Sequence, residues 1–304
     1  GRRARGLPAV SCGRSMSVAK LWRFAVKGLD RDELEVVELK AGSGFPNDRR
    51  WAMHYDVHAG ADDFNPNEPA WLHKKNFLCA FTANELLGQY ETKYVDESDT
   101  LTVRRRDNGD KLLEANLADN TDRARADMFF SDVHGKQVKF VQGSLHRHHF
   151  GNTRAGFQHN ASGAVIHLVN AATVVALSKA AGVMLHPSRF RPNLVFDGLP
   201  AWSEFEWINR RIVVGGATLE ILSRTVRCEA INVDARNGTG NADLDVPYLI
   251  KTHFPEHGPY LGVYARVVRD GRVRPGDKIA LECDRCDLAT SRGGRIRLLL
   301  AISL

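Results

Sequence analysis

The sequence predicts a mainly β protein with some α-helix, arranged as β-barrel-like domains. Three observations lead to this fold class. Short apolar or alternating segments recur along the 304 residues, turn residues separate them, and few segments have a helical pattern. A chain of this length, with 43% hydrophobic and 26% charged residues, can bury a large core in one domain or in two packed ones.

The first half of the chain carries regular strand signals. Strands are predicted at residues 21–26, 34–39, 51–55 and 100–105. The last of them alternates with period two, and Asn108-Gly109 after it predicts a hairpin turn. We therefore expect a β-rich N-terminal unit over residues 16–140. Residues 1–15, which are rich in Arg and Gly, are expected to form a disordered extension.

The second half combines one helix with further strands. Asn170 can cap a helix over residues 171–181, and Gly182 can end it. Two hairpins are predicted, one at Gly215-Gly216 between residues 212–214 and 218–222, and one at Asp270-Gly271 between residues 263–268 and 272–273. These elements extend the β-rich character of the chain to its C-terminal part.

The charge and cysteine content limit the kind of partner. Lys and Arg number 42 against 36 Asp and Glu, which gives a net charge of +6. This mild excess suits an anionic ligand, but nucleic-acid binding is not expected, because neither a dense basic stripe nor a recognition motif is present. No apolar run is long enough to predict a membrane span. Five scattered cysteines favour a reducing, cytoplasmic location.

Cys228, in the stretch RTVRCEAINVDARNG, is the first candidate site residue. Arg224 and Arg227 precede it, and nearby positive charge favours a thiolate. Polar residues and Gly238 follow, and glycine allows backbone to approach a ligand closely. A thiolate can bind a soft metal or act as a nucleophile, whereas a cysteine in a strand is often only buried. Composition alone favours the buried cysteine, whereas the neighbouring arginines, polar residues and glycine favour the reactive one.

The stretch RFRPN is the second candidate. Arg189 and Arg191 are two residues apart, so in an extended chain they would share a face, and Pro192 favours extended geometry at Arg191. Two guanidinium groups on one side suit a phosphate or a pterin. A solvated strand face explains the spacing equally well.

The remaining motifs give weaker evidence of a functional site. His146, His148 and His149 have no cysteine or acid at a zinc-like spacing nearby, so a solvated loop is expected there. Cys283 and Cys286 form a single C-x-x-C without a second pair, in a polar tail. Glycine-rich nucleotide loops and the G-x-S-x-G and H-E-x-x-H motifs are absent, which argues against nucleotide hydrolysis, a Rossmann dehydrogenase and a serine hydrolase.

Five segments in order resemble the MOSC family, named for the C-terminal domain of molybdenum-cofactor sulfurase. They are FAVKGL, GFPNDRRWAM, RFRPNLVFDG, VRCEAINVDARNG and LGVYARVVRDGRVRPGDKIAL. The likeness runs from about Val18 to Leu281 and is greatest to two-domain members such as the mitochondrial amidoxime-reducing component and its bacterial relatives. It implies an N-terminal β-barrel domain at residues 16–140 packed on a MOSC β-barrel domain at residues 141–283, with residues 284–304 as a tail.

The resemblance also implies a cofactor and a site. The cofactor is the molybdenum cofactor, molybdopterin, and Cys228 is the implied catalytic residue and metal ligand. The implied cofactor-binding residues are Lys27, Arg49, Ser162, Arg189, Arg191, Asn193, Arg227 and Asn232. The family's general description further includes pyridoxal phosphate binding.

The implied function is an oxidoreductase that reduces small N-hydroxylated compounds. Its electrons would come from a separate protein of ferredoxin or cytochrome/flavoprotein reductase type. A molybdenum cofactor or sulfur carrier without reductase activity is the alternative, and a non-catalytic binding domain is the third possibility. The chain departs from the family pattern at Gly28, Val226, Ile231 and Asn232, and whether the last two departures abolish the family reaction stays open.

Overall fold

The computed structural model describes residues 15–56, 60–65, 72–143, 150, 165–234 and 242–282. Several predicted features lie outside these residues: the extension before residue 15, the three histidines, Ser162, and the Cys283 and Cys286 pair. The described chain is mainly β with several helices, as the sequence predicts. No helix in it is both long enough and apolar enough to cross a membrane.

The described residues contain sixteen strands and four α-helices. The strands are β1 (Ser17–Arg23), β2 (Asp32–Leu34), β3 (Val37–Leu39), β4 (Trp51–Tyr55), β5 (Phe77–Leu78), β6 (Tyr90–Val95), β7 (Thr100–Arg105), β8 (Lys111–Asn116), β9 (Val138–Gln142), β10 (Ile166–Asn170), β11 (Leu194–Asp197), β12 (Arg211–Val214), β13 (Ala217–Val226), β14 (Tyr260–Arg269), β15 (Gly271–Val273) and β16 (Ile279–Leu281). The helices are α1 (Asn84–Leu87), α2 (Asn120–His134), α3 (Ala171–Ala181) and α4 (Val246–His253).

An eight-stranded sheet forms the largest layer, in the order β16-β12-β13-β14-β10-β11-β1-β2. Its neighbours are antiparallel except β10 and β11, which run parallel because α3 carries the chain back between them. The sheet curls, since the amide of Val18 donates to Asp277 O and that of Ile279 to Met16 O, both at 2.9 Å. In the described residues these contacts form one isolated bridge beside β16, not a ladder that closes a barrel.

The described residues also form three smaller sheets. One pairs β15 with β3, and the other two have the strand orders β5-β4-β9 and β6-β7-β8. In β7 the period-two pattern buries Leu101 and Val103 against α2 and β9, while the alternate residues face outward. This second apolar cluster is separate from the one under the large sheet. The domain division at residues 140 and 141 stays a prediction, and β1 and β3 pair with strands that follow residue 165.

Side-chain caps begin α2, α3 and α4. Asn170 accepts from the Ala172 amide at 3.0 Å to begin α3, and Gly182 ends it at φ +69°, as predicted. Helix α2 was not predicted from the sequence, although Asp119 caps it and Gly135 ends it. Few of its fifteen residues are buried, so it carries little apolar periodicity for a sequence to display.

Two strand predictions were wrong. Residues 34–39 are divided between β2 and β3 rather than forming one strand. The hairpin at Asp270-Gly271 does not form, because β15 pairs with β3 instead of β14. The Asp270 carboxylate accepts from the Ala41 amide at 2.8 Å, and this contact ties the turn to the end of β3.

Candidate functional site

A cleft of about 90 Å³ lies where the loops after β1 and β3 meet the end of β13. Cys228 and Cys79 line it together with apolar groups. Its basic side chains are Lys27, Arg49, Lys74, Arg191 and Arg227. The cleft therefore combines a thiol with a high local density of positive charge, an arrangement that suits an anionic ligand.

Cys228 enters the cleft because β13 ends two residues before it. The Arg227 amide donates to Pro259 O at 2.7 Å, and a 3₁₀ helix over Glu229–Ile231 begins directly after the cysteine. The side chain is half-buried, and its Sγ accepts from Lys74 Nζ at 3.2 Å. The sulfur thus faces basic groups rather than the apolar core, which is the arrangement required of a metal-binding or reactive thiolate.

Lys27 follows β1 and is buried on the cleft wall. Its Nζ donates to Phe150 O at 2.8 Å. Burial, opposed by Cys79 and reinforced by Arg49, Arg191 and Lys74, lowers the pKa of Lys27 to about 8. A negatively charged ligand in the cleft would offset the cost of keeping this ammonium charged.

Gly28, where the family pattern has serine, is required by the backbone of this chain. Its φ is +94°, and a Cβ at this position would lie 2.7 Å from the Cα of Cys79. A side chain would therefore be strained and would also collide with a neighbouring segment. The close approach places Cys79 and Ala80 on the cleft wall beside Lys27.

Arg49 and Arg191 both contact Phe24. Their guanidinium carbons lie 4.8 Å and 4.2 Å from the ring centroid. Arg49 is paired with Asp48, whereas Nη2 of Arg191 is buried and has no hydrogen-bond partner among the described residues. Burial, followed by repulsion from Arg49, lowers the pKa of Arg191 to about 9.

Arg227 completes the basic lining. Its Nη2 donates to Phe190 O at 3.1 Å, while its Nε is buried and unpaired within the described part of the chain. Burial lowers the pKa of Arg227, and burial raises that of the neighbouring Tyr264. Buried donors without partners are rare in folded proteins, so they indicate where a ligand would complete the site.

Comparison with protein families identifies the part of the chain that carries Cys228. The family described as MOSC domain matches residues 145–280. This region is a MOSC domain. The family resemblance inferred from the sequence motifs is thereby confirmed, although its extension to the amidoxime-reducing component is not.

Solved structures of low similarity were also found. YiiM from Geobacillus stearothermophilus is 20% identical over 38% of this chain and 53% of that chain, with a TM-score of 0.30. YuaD from Bacillus subtilis is 14% identical over 88% and 94%, with a TM-score of 0.38. YiiM from Escherichia coli is 16% identical over 39% and 54%, with a TM-score of 0.29. The chain thus spans about half the length of the YiiM structures, and no curated protein matches it.

Arg189 of the MOSC domain lies away from the cleft and binds carboxylates. Its guanidinium donates to both carboxylate oxygens of Asp243, at 2.7 and 2.5 Å, and to Ile231 O at 3.0 Å. The prediction that Arg189 and Arg191 share the face of an extended strand was wrong. Pro187–Phe190 form a 3₁₀ helix, and Arg191 after it has a left-handed backbone with φ +54°, so the two side chains diverge.

Two asparagines of the MOSC domain hold backbone segments instead of lining the cleft. Asn193 Oδ1 accepts from the His167 amide at 3.1 Å, and its Nδ2 donates to Trp22 O at 3.3 Å. Asn232 Oδ1 accepts from the Val246 amide at 3.0 Å, at the start of α4. Their predicted contacts with a cofactor stay predictions, as does that of Ser162, which lies outside the described residues.

Three residues of the cleft were not predicted from the sequence: Lys74, Cys79 and the exposed aromatic Phe81. Lys74 Nζ lies 3.6 Å from the centroid of the Phe81 ring and also contacts Cys228. The stretch HKKNF carries no motif or periodicity that separates Lys74 from its neighbour Lys75. Within the described residues, no group of three His, Cys, Asp or Glu side chains is placed to hold a metal ion.

Proposed function

We propose that this chain binds a molybdenum cofactor in the cleft and reduces small N-hydroxylated compounds with electrons from a separate donor protein. The observation that carries the proposal is the pair of buried, unpaired guanidinium nitrogens, Arg191 Nη2 and Arg227 Nε, in the same cleft as the Cys228 thiol. The MOSC domain at residues 145–280 supports an association with the molybdenum cofactor in general.

The residues fit the chemistry of that group. Molybdopterin carries sulfur ligands for its metal and an anionic phosphate, so a protein site for it needs a soft donor and several cations. Cys228 would supply the protein sulfur to the metal. Lys27, Arg49, Arg191 and Arg227 would hold the pterin and its phosphate. When bound, the cofactor would supply two-electron redox chemistry at its metal.

The protein's own groups would control access and charge. Phe81 is 41% exposed and Val226 is 53% exposed, and both line the cleft. They therefore form an apolar rim against which the apolar part of a substrate can pack. Reduction of an N–OH group to N–H consumes two electrons and two protons and releases water. A ferredoxin, or a cytochrome or flavoprotein reductase, is the proposed class of electron donor.

The departures from the family pattern affect the fold and the rim more than the charged wall. Ile231 is buried in the large apolar cluster and also lines the cleft. The side chain of Asn232 accepts from the Val246 amide at the start of α4. Neither residue therefore displaces the cationic donors of the cleft. The cytoplasmic location of the protein stays a prediction.

The test is to express the full chain with molybdate and to measure molybdenum by mass spectrometry and pterin by fluorescence. Reduction of an aryl amidoxime is assayed with reduced viologen as electron donor. We expect stoichiometric molybdenum and amidine formation in the native protein, and loss of both in Cys228→Ala. Native molybdenum content and activity in that variant would refute the role of Cys228. Bound cofactor without reduction would support the carrier alternative, and a protein free of molybdenum and pterin would refute cofactor binding.

A further inference from the structure

We propose that Lys74 is a positioning residue that holds the Cys228 sulfur in the cleft, from a segment outside the MOSC domain. Its consequence for catalysis rests on the function proposed above, whereas the contact itself does not. The Lys74 ammonium lies between two groups, 3.2 Å from Cys228 Sγ and 3.6 Å from the centroid of the Phe81 ring. A hydrogen bond from an ammonium group that also packs on an aromatic ring fixes the direction of the sulfur.

The backbone that carries Lys74 is itself fixed. Lys74–Asn76 form a 3₁₀ helix that His73 caps by accepting from the Lys75 amide. The buried side chain of Asn76 exchanges two hydrogen bonds with Asp62, at 2.8 and 3.0 Å. The ammonium therefore projects from a rigid turn rather than from a free loop, and a rigid turn can impose a position on its partner.

A second contact reaches the same loop from the same side. Asn84, the first residue of α1, donates from Nδ2 to Ala230 O at 3.0 Å. Ala230 lies in the 3₁₀ helix that follows Cys228. Lys74 thus fixes the sulfur and Asn84 fixes the loop that carries it. Both contacts come from residues that precede the matched MOSC region, so the thiol environment of that region is completed by the N-terminal part of the chain.

The experiment measures the alkylation rate of Cys228 by iodoacetamide at one fixed pH, in the full-length protein without cofactor. The modified peptide is quantified by mass spectrometry. Because the hydrogen bond holds the sulfur where the reagent meets it in the cleft, Lys74→Met should slow the reaction about tenfold. Lys74→Arg keeps a charged donor and should stay within about threefold of the native rate. Lys75→Met, at the exposed neighbour, is the matched control and should leave the rate unchanged.

Buried Cys79 reports in the same experiment whether a variant has unfolded. If Lys74→Met exposes Cys79, Lys74→Leu replaces it, because leucine also removes the hydrogen-bond donor. A native alkylation rate in the uncharged variant would overturn the proposal, and so would a loss that Lys74→Arg fails to restore. A slower alkylation in Lys74→Met together with a near-native rate in Lys74→Arg supports the proposal.

A second measurement separates this proposal from the proposed function. Molybdenum content and kcat are compared between native protein, Lys74→Met and Lys75→Met. A protein that binds no molybdenum refutes the proposed function, yet the alkylation rates still decide on Lys74. Conversely, native alkylation in Lys74→Met, with full cofactor binding and activity, overturns the role of Lys74 and leaves the proposed function standing.

Discussion

The replacement Lys27→Met should stabilise the protein when no ligand is bound. Lys27 is 3% exposed, and its pKa falls from 10.5 to about 8 chiefly because burial disfavours its charge. At about 1.4 kcal/mol for each pKa unit, this fall corresponds to a cost of roughly 3 kcal/mol at neutral pH. The variant also loses the hydrogen bond to Phe150 O, which lowers its stability by about 1 kcal/mol. The expected net gain is therefore about 2 kcal/mol.

The pH dependence of this gain has a definite sign. Below pH 8 the lysine is protonated in both states, so the native protein bears the full cost of the buried charge. Between pH 8 and 10.5 the unfolded state holds more protons than the folded state, and the native protein gains stability as the pH rises. The advantage of Lys27→Met should thus be greatest at neutral pH and be lost as the pH rises between 8 and 10.5.

Urea unfolding followed by tryptophan fluorescence at several pH values measures this difference. Lys93→Met is the matched control, because Lys93 is exposed on β6 and should give a change near zero. A Lys27→Met protein less stable than native at neutral pH would refute the reasoning, since the buried ammonium would then be a net stabilising group. The same would follow if the difference between the two proteins did not depend on pH.

Two further predictions concern backbone strain and a buried acid. Gly28→Ser should cost about 3 kcal/mol of unfolding free energy, because its φ is +94° and its Cβ would meet the Cα of Cys79; an unaltered urea midpoint would contradict this. Burial raises the pKa of Glu204, so native stability should fall as the pH rises through that raised pKa. Glu204→Gln should flatten the stability curve there, and parallel curves for the two proteins would contradict the assignment.

Local signals in the sequence predicted much of the fold. The alternation in β7, the Asn108-Gly109 turn and the caps of α3 each depend on residues adjacent in the chain. The partner of β15 could not be read in this way, because Asp270 is held by Ala41, 229 residues away in sequence. Long-range pairing decides such turns, and a single sequence does not display it.

The candidate site was partly predictable for a similar reason. Motif order indicated Lys27, Arg49, Arg191 and Arg227, and the structure brings all four to the Cys228 cleft. The contact of Lys74 with Cys228 joins residues 154 apart, and no local pattern announces it. Arg189 is the opposite case. It belongs to a conspicuous motif, but its guanidinium donates to Asp243 and does not line the cleft. The spacing of two arginines does not reveal the helical turn that separates them.

The pairing of β1 with β11 and of β3 with β15 has a consequence for biogenesis. The side-chain bond between Ser17 and Asp197 joins residues 180 apart, and that between Glu38 and Arg272 spans 234 residues. During synthesis on the ribosome, β1 and β3 are made long before β11 and β15, so they cannot pair until much more of the chain has emerged. Folding of the large sheet should therefore be slow and largely post-translational, and until it is complete the apolar residues of β1 remain open to chaperones and to aggregation.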